Sequence, residues 1–283
     1  HKRLILLNQQ CVLEINALRE ETIKEWFITF KKLPVLIYEA ILIDVWKHKI
    51  FPYLLEINGE PKNTFMLFSV FYHEDIAVSL LENVLFHSES IETMDDTVLD
   101  LVDYAVKYTS LLLDVNEQVL EKKKEIEFDI GIRCISILRY LAEFLDRMPL
   151  YVVSRMLSTF DVPYLLVQLI ETHPWRKENS EGIYISQSTQ DITKKRISKV
   201  EGQVWFGLRE LLLNPKCGPY YEITEHRLTQ LLKYLHETVL DQIAPLIDLK
   251  RWLSYINISS PYSKAPGTVN VEIMPQVTRS KVF

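Results

Sequence analysis

At 283 residues the chain has room for one elongated domain or two compact ones, and 48% apolar with 25% charged content is that of a folded protein, not a disordered one. Glycine contributes 7 residues, far below its usual share of about 7%, which leaves little material for the positive-φ turns of hairpins, bulges and phosphate loops. A formal net charge of −6 argues against a nucleic-acid binder, whose affinity rests on basic patches facing phosphates.

The chain opens on His1-Lys2-Arg3 and a leucine-rich patch, a signal-peptide-like start that Asn8, Gln9 and Gln10 interrupt. Leu33-Pro34-Val35-Leu36-Ile37 opens a helix, with proline in the first turn where its missing N–H is no loss. Trp46-Lys47-His48-Lys49 ends that helix, before punctuation at Pro52 and Asn58-Gly59. Apolar residues recur at three- and four-residue steps almost throughout. From Asp96 to Asp114 they are Val98, Leu101, Val102, Ala105, Thr109 and Leu112, opposite Asp96, Asp100, Asp103, Lys107 and Asp114. Asp103 and Lys107 are spaced for an i,i+4 pair. Glu121-Lys122-Lys123-Lys124-Glu125 is a solvated helix face. From Glu125 to Arg147 a long helix buries Ile130, Cys134, Ile137, Leu138, Leu141 and Leu145, with a polar stripe of Asp129, Arg133, Ser136, Glu143 and Arg147. Each such amphipathic helix needs a neighbour to cover its apolar face.

Pro149 and Pro174 mark further breaks, and between them Asp161-Val162-Pro163-Tyr164-Leu165-Leu166 opens another helix. Arg176 to Arg196 is polar, contains Gly182 and reads as a long surface loop. Ser198 with Glu201 is a capping box opening a helix toward Leu213, and Asn214-Pro215 closes it. From Ser259 the character changes, with Pro261, Pro266-Gly267 and Pro275; Val269, Val271 and Ile273 alternate as in a short strand, but an extended tail laid along the solenoid is the expectation. No run of 18 or more uncharged apolar residues occurs, so no transmembrane helix is expected.

The Leu33-Pro34 phrase returns as Val162-Pro163-Tyr164-Leu165-Leu166 and, more loosely, as Ala244-Pro245-Leu246-Ile247. Pro34 and Pro163 lie 129 residues apart, three times 43, and Pro163 and Pro245 lie 82 apart, twice 41. Ile76-Ala77-Val78-Ser79-Leu80-Leu81 and Val204-Trp205 fall near the intermediate positions. Armadillo and HEAT repeats have periods of about 40–47 residues. The sequence thus predicts an all-α, armadillo/HEAT-like right-handed superhelical solenoid of about ten or eleven helices over residues 1–258, with 259–283 an extended C-terminal tail. An irregular helical bundle is the alternative.

Catalytic templates fail on physical grounds. Gly202 and Gly207 have the outer spacing of a phosphate loop, but Leu208 and Arg209 follow where Lys and Ser/Thr are needed. His73-Glu74 and His236-Glu237 lack the second histidine of a zincin, and His226 and His236 are about 80° out of phase on a helix. Cys11, Cys134 and Cys217 are odd in number and far apart, which suits a reducing compartment and neither a disulfide framework nor a metal knuckle. Asn257-Ile258-Ser259 matches a glycosylation sequon, but nothing else looks secreted. No enzyme, cofactor or metal is expected in these residues.

The remaining candidates are protein-binding ones. Trp46, Lys47 and Lys49 either line a groove, or are a core tryptophan and cations answering a helix C-terminal dipole. Asp96, Asp100 and Asp103 form either a dock for a basic partner or a solvated face. Arg139 lies beside the apolar stripe and Arg155 on a helix rim, where either can bridge adjacent helices. Trp175, beside Pro174 at the mouth of the polar stretch, is the tryptophan expected to be exposed, with Trp205 and Trp252 in the core.

Seven collinear stretches resemble one family: Val45-Trp46-Lys47-His48-Lys49-Ile50-Phe51-Pro52, Asp96-Thr97-Val98-Leu99-Asp100-Leu101-Val102-Asp103-Tyr104, Ile137-Leu138-Arg139-Tyr140, Ser154-Arg155-Met156-Leu157-Ser158-Thr159, His173-Pro174-Trp175, Gly202-Gln203-Val204-Trp205 and Leu240-Asp241-Gln242. In this order they look like the N-terminal region of the MYND zinc-finger assembly factors for ciliary dynein arms, over about Cys11 to Pro275. The resemblance implies a cytoplasmic, non-catalytic co-chaperone adaptor that helps dynein heavy chains mature. Its implied partners are dynein heavy chains, heat-shock chaperones, an immunophilin co-chaperone and a leucine-rich-repeat assembly factor, with no nucleic acid and no membrane insertion. That family's zinc finger is C-terminal and needs clustered Cys and His that these residues lack, so no metal is implied here. An adaptor binding basic peptide segments in transport or signalling is the other reading, motivated by the acidic face.

Overall fold

The structure, a computed structural model, describes residues 1–17, 19–59, 64–113, 121–175, 177–178, 184–185 and 197–259. The N-terminal half holds α1 (Lys2–Asn16), α2 (Glu21–Ile23), α3 (Leu33–Val45), α4 (Phe51–Asn58), α5 (Thr64–Leu85) and α6 (Thr97–Leu111). Then come α7 (Glu121–Glu143), α8 (Leu150–Ser154), α9 (Val162–Thr172), α10 (Lys199–Leu213), α11 (Glu225–Tyr234), α12 (Glu237–Gln242) and α13 (Leu246–Ser259). Among the described residues the fold is helical apart from an antiparallel pairing of β1 (Lys177–Glu178) with β2 (Tyr184–Ile185), Lys177 opposite Ile185. That pairing lies inside the stretch 176–196 expected to be a plain loop; the rest of the stretch is outside the described residues, as are the tail from 260 onward and Asp114.

Thirteen α-helices among the described residues exceed the ten or eleven expected, because several short pieces continue through π-helical turns. α2 runs on into Lys24–Thr29, α8 into Arg155–Thr159, and Trp46–Ile50 joins α3 to α4. This last turn corrects the helix end expected at Trp46–Lys49. Pro52, second residue of α4, donates no N–H and its ring crowds the carbonyl four residues back. Widening the turn, so that Phe51 N–H bonds Trp46 O five residues back, lets the helix continue.

Capping chemistry sets other boundaries. Asp161, at φ 48°, accepts from the Tyr164 N–H to open α9, and Ser198 accepts from the Glu201 N–H to open α10. Proline stands in the first turn of α3 and of α9, and Pro245 directly precedes α13. The apolar positions read from periodicity on α6 and α7 are all buried, from Val98 to Leu112 and from Ile130 to Leu145.

Packing follows chain order in two rows. α1, α5, α7, α10 and α13 form one, each against the next; α3, α6, the α8 rod, α9 and α11 form the other. Cross-row pairs α3–α5, α6–α7, α9–α10 and α11–α13 enclose the core between them. α7 is the hub, touching α5, α6 and α10, and Gly131 lets α6 approach: a Cβ there would lie 2.9 Å from the Tyr108 carbonyl oxygen. The repeated proline phrase opens α3 and α9 in one row but α13 in the other, and Ile76–Leu81 and Val204–Trp205 lie inside α5 and α10 rather than at helix starts.

Among the described residues α5 is long and apolar enough to cross a membrane, and α8 with α9 meets the same criterion as a rod bent by 47°. Here α5 packs against α1, α3 and α7, and Ala77 to Leu85 carries much of the core.

Candidate protein-interaction surface

The polar stripe of α6 is engaged with its neighbours. Asp96, at the N-cap, accepts from Tyr151 Oη of α8 at 2.9 Å, and Asp100 from Tyr38 Oη of α3 at 3.3 Å. Asp103 takes Arg155 through two bonds, Nε at 2.8 Å and Nη2 at 2.7 Å. Lys107 donates to both Asp44 carboxylate oxygens at 2.7 Å. Asp103 and Lys107, spaced for a mutual pair, thus reach in opposite directions, toward α8 and toward α3. The stripe lies at the surface, with Asp96 exposed, but Asp96, Asp100 and Asp103 each have a partner on a neighbouring element. It stitches α6 to both neighbours in its row, and the bridging role expected of Arg155 is the one it has. The Asp103 hydrogen bonds raise the Arg155 pKa, and the guanidinium lies 4.7 Å from the Phe160 ring centroid.

Beneath this seam lies a polar cluster that periodicity does not reveal. Lys47, 2% exposed, is aimed inward by the π-helical turn. Its Nζ donates to Glu74 Oε2 at 2.7 Å and Tyr108 Oη at 2.6 Å, with Glu127 Oε1 at 3.4 Å. Tyr104 Oη donates to Glu74 Oε1 at 2.9 Å, and Tyr108 Oη has Glu74 at 2.6 Å and Asp44 at 2.9 Å as acceptors. Burial, with the Glu74 charge close by, pushes both phenols well above their usual range. Burial would also raise Asp44, but hydrogen bonds from His48 and Lys107 outweigh it and hold the carboxyl well below the usual range. Lys47 therefore offers no groove contact. Lys49 is exposed and Trp46 half-buried against Phe51.

Arg139 pairs within α7, its Nη2 2.9 Å from Glu143, and its guanidinium lies 5.8 Å from the Phe206 ring centroid on α10. Trp175 corrects a further expectation. It is 9% exposed, edge-on to His173, and the tryptophan open to solvent is Trp26 at 49%. Trp205 is fully buried, as expected, whereas Trp252, expected in the core as well, is half-buried against it. The three cysteines are free and buried, and burial raises all three thiols, Cys217 to about 12. Among the described residues no group of three or more His, Cys, Asp and Glu could hold a metal.

Several large apolar side chains are also exposed. Tyr53, Leu54 and Ile57 of α4 and Phe65 and Met66 of α5 are all exposed, on consecutive helices. Sequence periodicity missed them because it marks apolar residues as core wherever they recur. A cleft of about 450 Å³ also opens beside Asp96, with Glu92, Asp95, Arg147, Met148 and Tyr151 around it.

No protein-family model matches the chain, and no solved structure matches it. A curated protein of Drosophila melanogaster, the zinc finger MYND domain-containing protein 10 homolog, is 38% identical over 303 aligned residues, covering 98% of this chain. The chain belongs to the zinc finger MYND domain-containing protein 10 family. It spans 66% of that relative's length. Within the family assignment, the seven resembling stretches have mixed duties here: Lys47, Leu138 and Trp205 are buried, whereas Asp103 and Arg155 clasp one another at the surface.

Proposed function

We propose that these residues form an armadillo-like, right-handed helical solenoid that serves as the non-catalytic scaffold of a cytoplasmic dynein-arm assembly factor. The carrying observation is the family relationship over 98% of the chain. The two-row, chain-ordered packing supports the solenoid, because in repeat proteins each helix pair contacts only its neighbours and the stack offers an extended binding face. Exposed apolar residues on α4 and α5 support a protein-binding role, since such patches mark interaction sites. The proposed partners are dynein heavy chains, heat-shock chaperones, an immunophilin co-chaperone and a leucine-rich-repeat assembly factor. No metal, nucleic acid or membrane insertion is assigned to these residues. The alternative of a basic-peptide adaptor drew on Asp96, Asp100 and Asp103, and all three already have partners within the molecule.

The test is an affinity pull-down from ciliating cells, with this chain as one bait and a longer form carrying the family's zinc finger as the other. Dynein heavy chains or chaperones on the first bait make the helical domain a docking surface. Their capture only by the second would move the docking surface to the finger and overturn the scaffold reading.

A further inference from the structure

A cleft of about 340 Å³ lies where the end of α10 meets α13, walled by Leu211, Leu212, Cys217, Tyr221, Trp252 and Ile256. Leu211, Leu212 and Cys217 are buried, Trp252 and Ile256 on α13 are half-covered, and Asn214 adds a polar group to a mostly apolar lining. α13 ends at Ser259, three residues beyond Ile256, so the chain leaves the helix within about one turn of a residue that lines the cleft. Residues 260–283 come next in the chain, with turn-forming Pro261 and Pro266-Gly267 ahead of Val269, Val271 and Ile273.

We propose that the cleft is the docking site of the chain's own C-terminal segment, with Val269, Val271 and Ile273 as the residues it receives. Chain length, side-chain alternation and tethering argue for this occupant. The 10 residues from 260 to 269 span at most about 33 Å extended, so the segment reaches back along α13 without strain. In an extended chain, residues two apart share a side, so Val269, Val271 and Ile273 present one apolar edge, with Asn270 and Glu272 on the other. Tethering also makes the encounter intramolecular, which gives the segment a high effective concentration that an outside ligand would lack.

The experiment is hydrogen exchange on the full 283-residue chain, compared with two full-length variants. One carries Val271→Asp with Ile273→Asp; in the other, residues 261–275 are replaced by Gly-Ser repeats, in case neighbouring tail residues hold the contact. Amides of Asn214–Ile223 and Trp252–Ile256 are expected to exchange about tenfold faster in both variants, with α5 and α7 unchanged as internal controls. Unaltered exchange in both variants would overturn the proposal. Protection that grows with protein concentration would overturn it too, since it would place a second copy's segment in the cleft.

Discussion

Lys47 shows how one buried cation can hold four helices in place. Its ammonium faces Glu74 from α5, Tyr108 from α6 and Glu127 from α7, all reached from the turn between α3 and α4. Removing one partner of such a pair leaves the other charge buried without compensation, which costs about 3–5 kcal/mol. Lys47→Met is therefore expected to lower stability by about that much in urea titration, and Lys47→Met with Glu74→Leu to recover part of it. A double variant as unstable as the sum of the singles would mean that the two side chains do not interact. Asp44 carries the pH dependence. Its folded pKa is depressed, so its contribution to stability is complete above the unfolded value, about 4, and is lost as pH falls through the folded value. Asp44→Asn should flatten the acid limb of a stability–pH curve below about pH 4 and leave its shape at neutral pH alone. One clue to this cluster was legible: Glu74 is a carboxylate inside the apolar run of α5, and Asp44, Lys47 and His48 stand one helical turn apart. The π-helical turn was not legible, because it depends on how Pro52 is accommodated in three dimensions rather than on the pattern around it.

At the scale of an element, α6 separates core from seam residue by residue. Leu101 and, on α7, Leu138 are each 1% exposed at helix–helix contacts. Leu101→Asp or Leu138→Asp buries an unpaired charge and is expected to abolish cooperative thermal unfolding. Asp100→Asn keeps an acceptor for Tyr38 and should shift stability by about 0.5 kcal/mol or less. Circular-dichroism melts in the reverse order would contradict the facing of α6. Period and polarity alone placed Val98, Leu101, Val102, Ala105 and Thr109 of this helix correctly in the core, but left out Leu99, Tyr104, Val106 and Tyr108, which are buried as well. They could not say what Asp96, Asp100 and Asp103 do, because a polar stripe reads the same whether it faces water or a neighbouring helix. Arg155 and Tyr151, 52 and 55 residues downstream of their partners, supply that distinction.

For the whole molecule, the chain-ordered rows imply that stability is distributed along the stack. α7 joins α5, α6 and α10, whereas α13 packs against α10 and α11. The sequence foretold helix after helix but not this order, since the proline phrase that suggested a period opens helices in both rows. In a linear array each unit depends on its own stability and on its nearest neighbours, so damage at an end stays local while damage at the hub spreads. Leu249, fully buried on α13, tests this. Leu249→Ala should cost about 2–5 kcal/mol, and native-state hydrogen exchange should localise the loss to α11–α13, with amides in α5, α6 and α7 keeping their protection. A uniform loss across all helices would instead describe a single cooperative bundle, which would remove the packing argument for a solenoid while leaving the family assignment untouched.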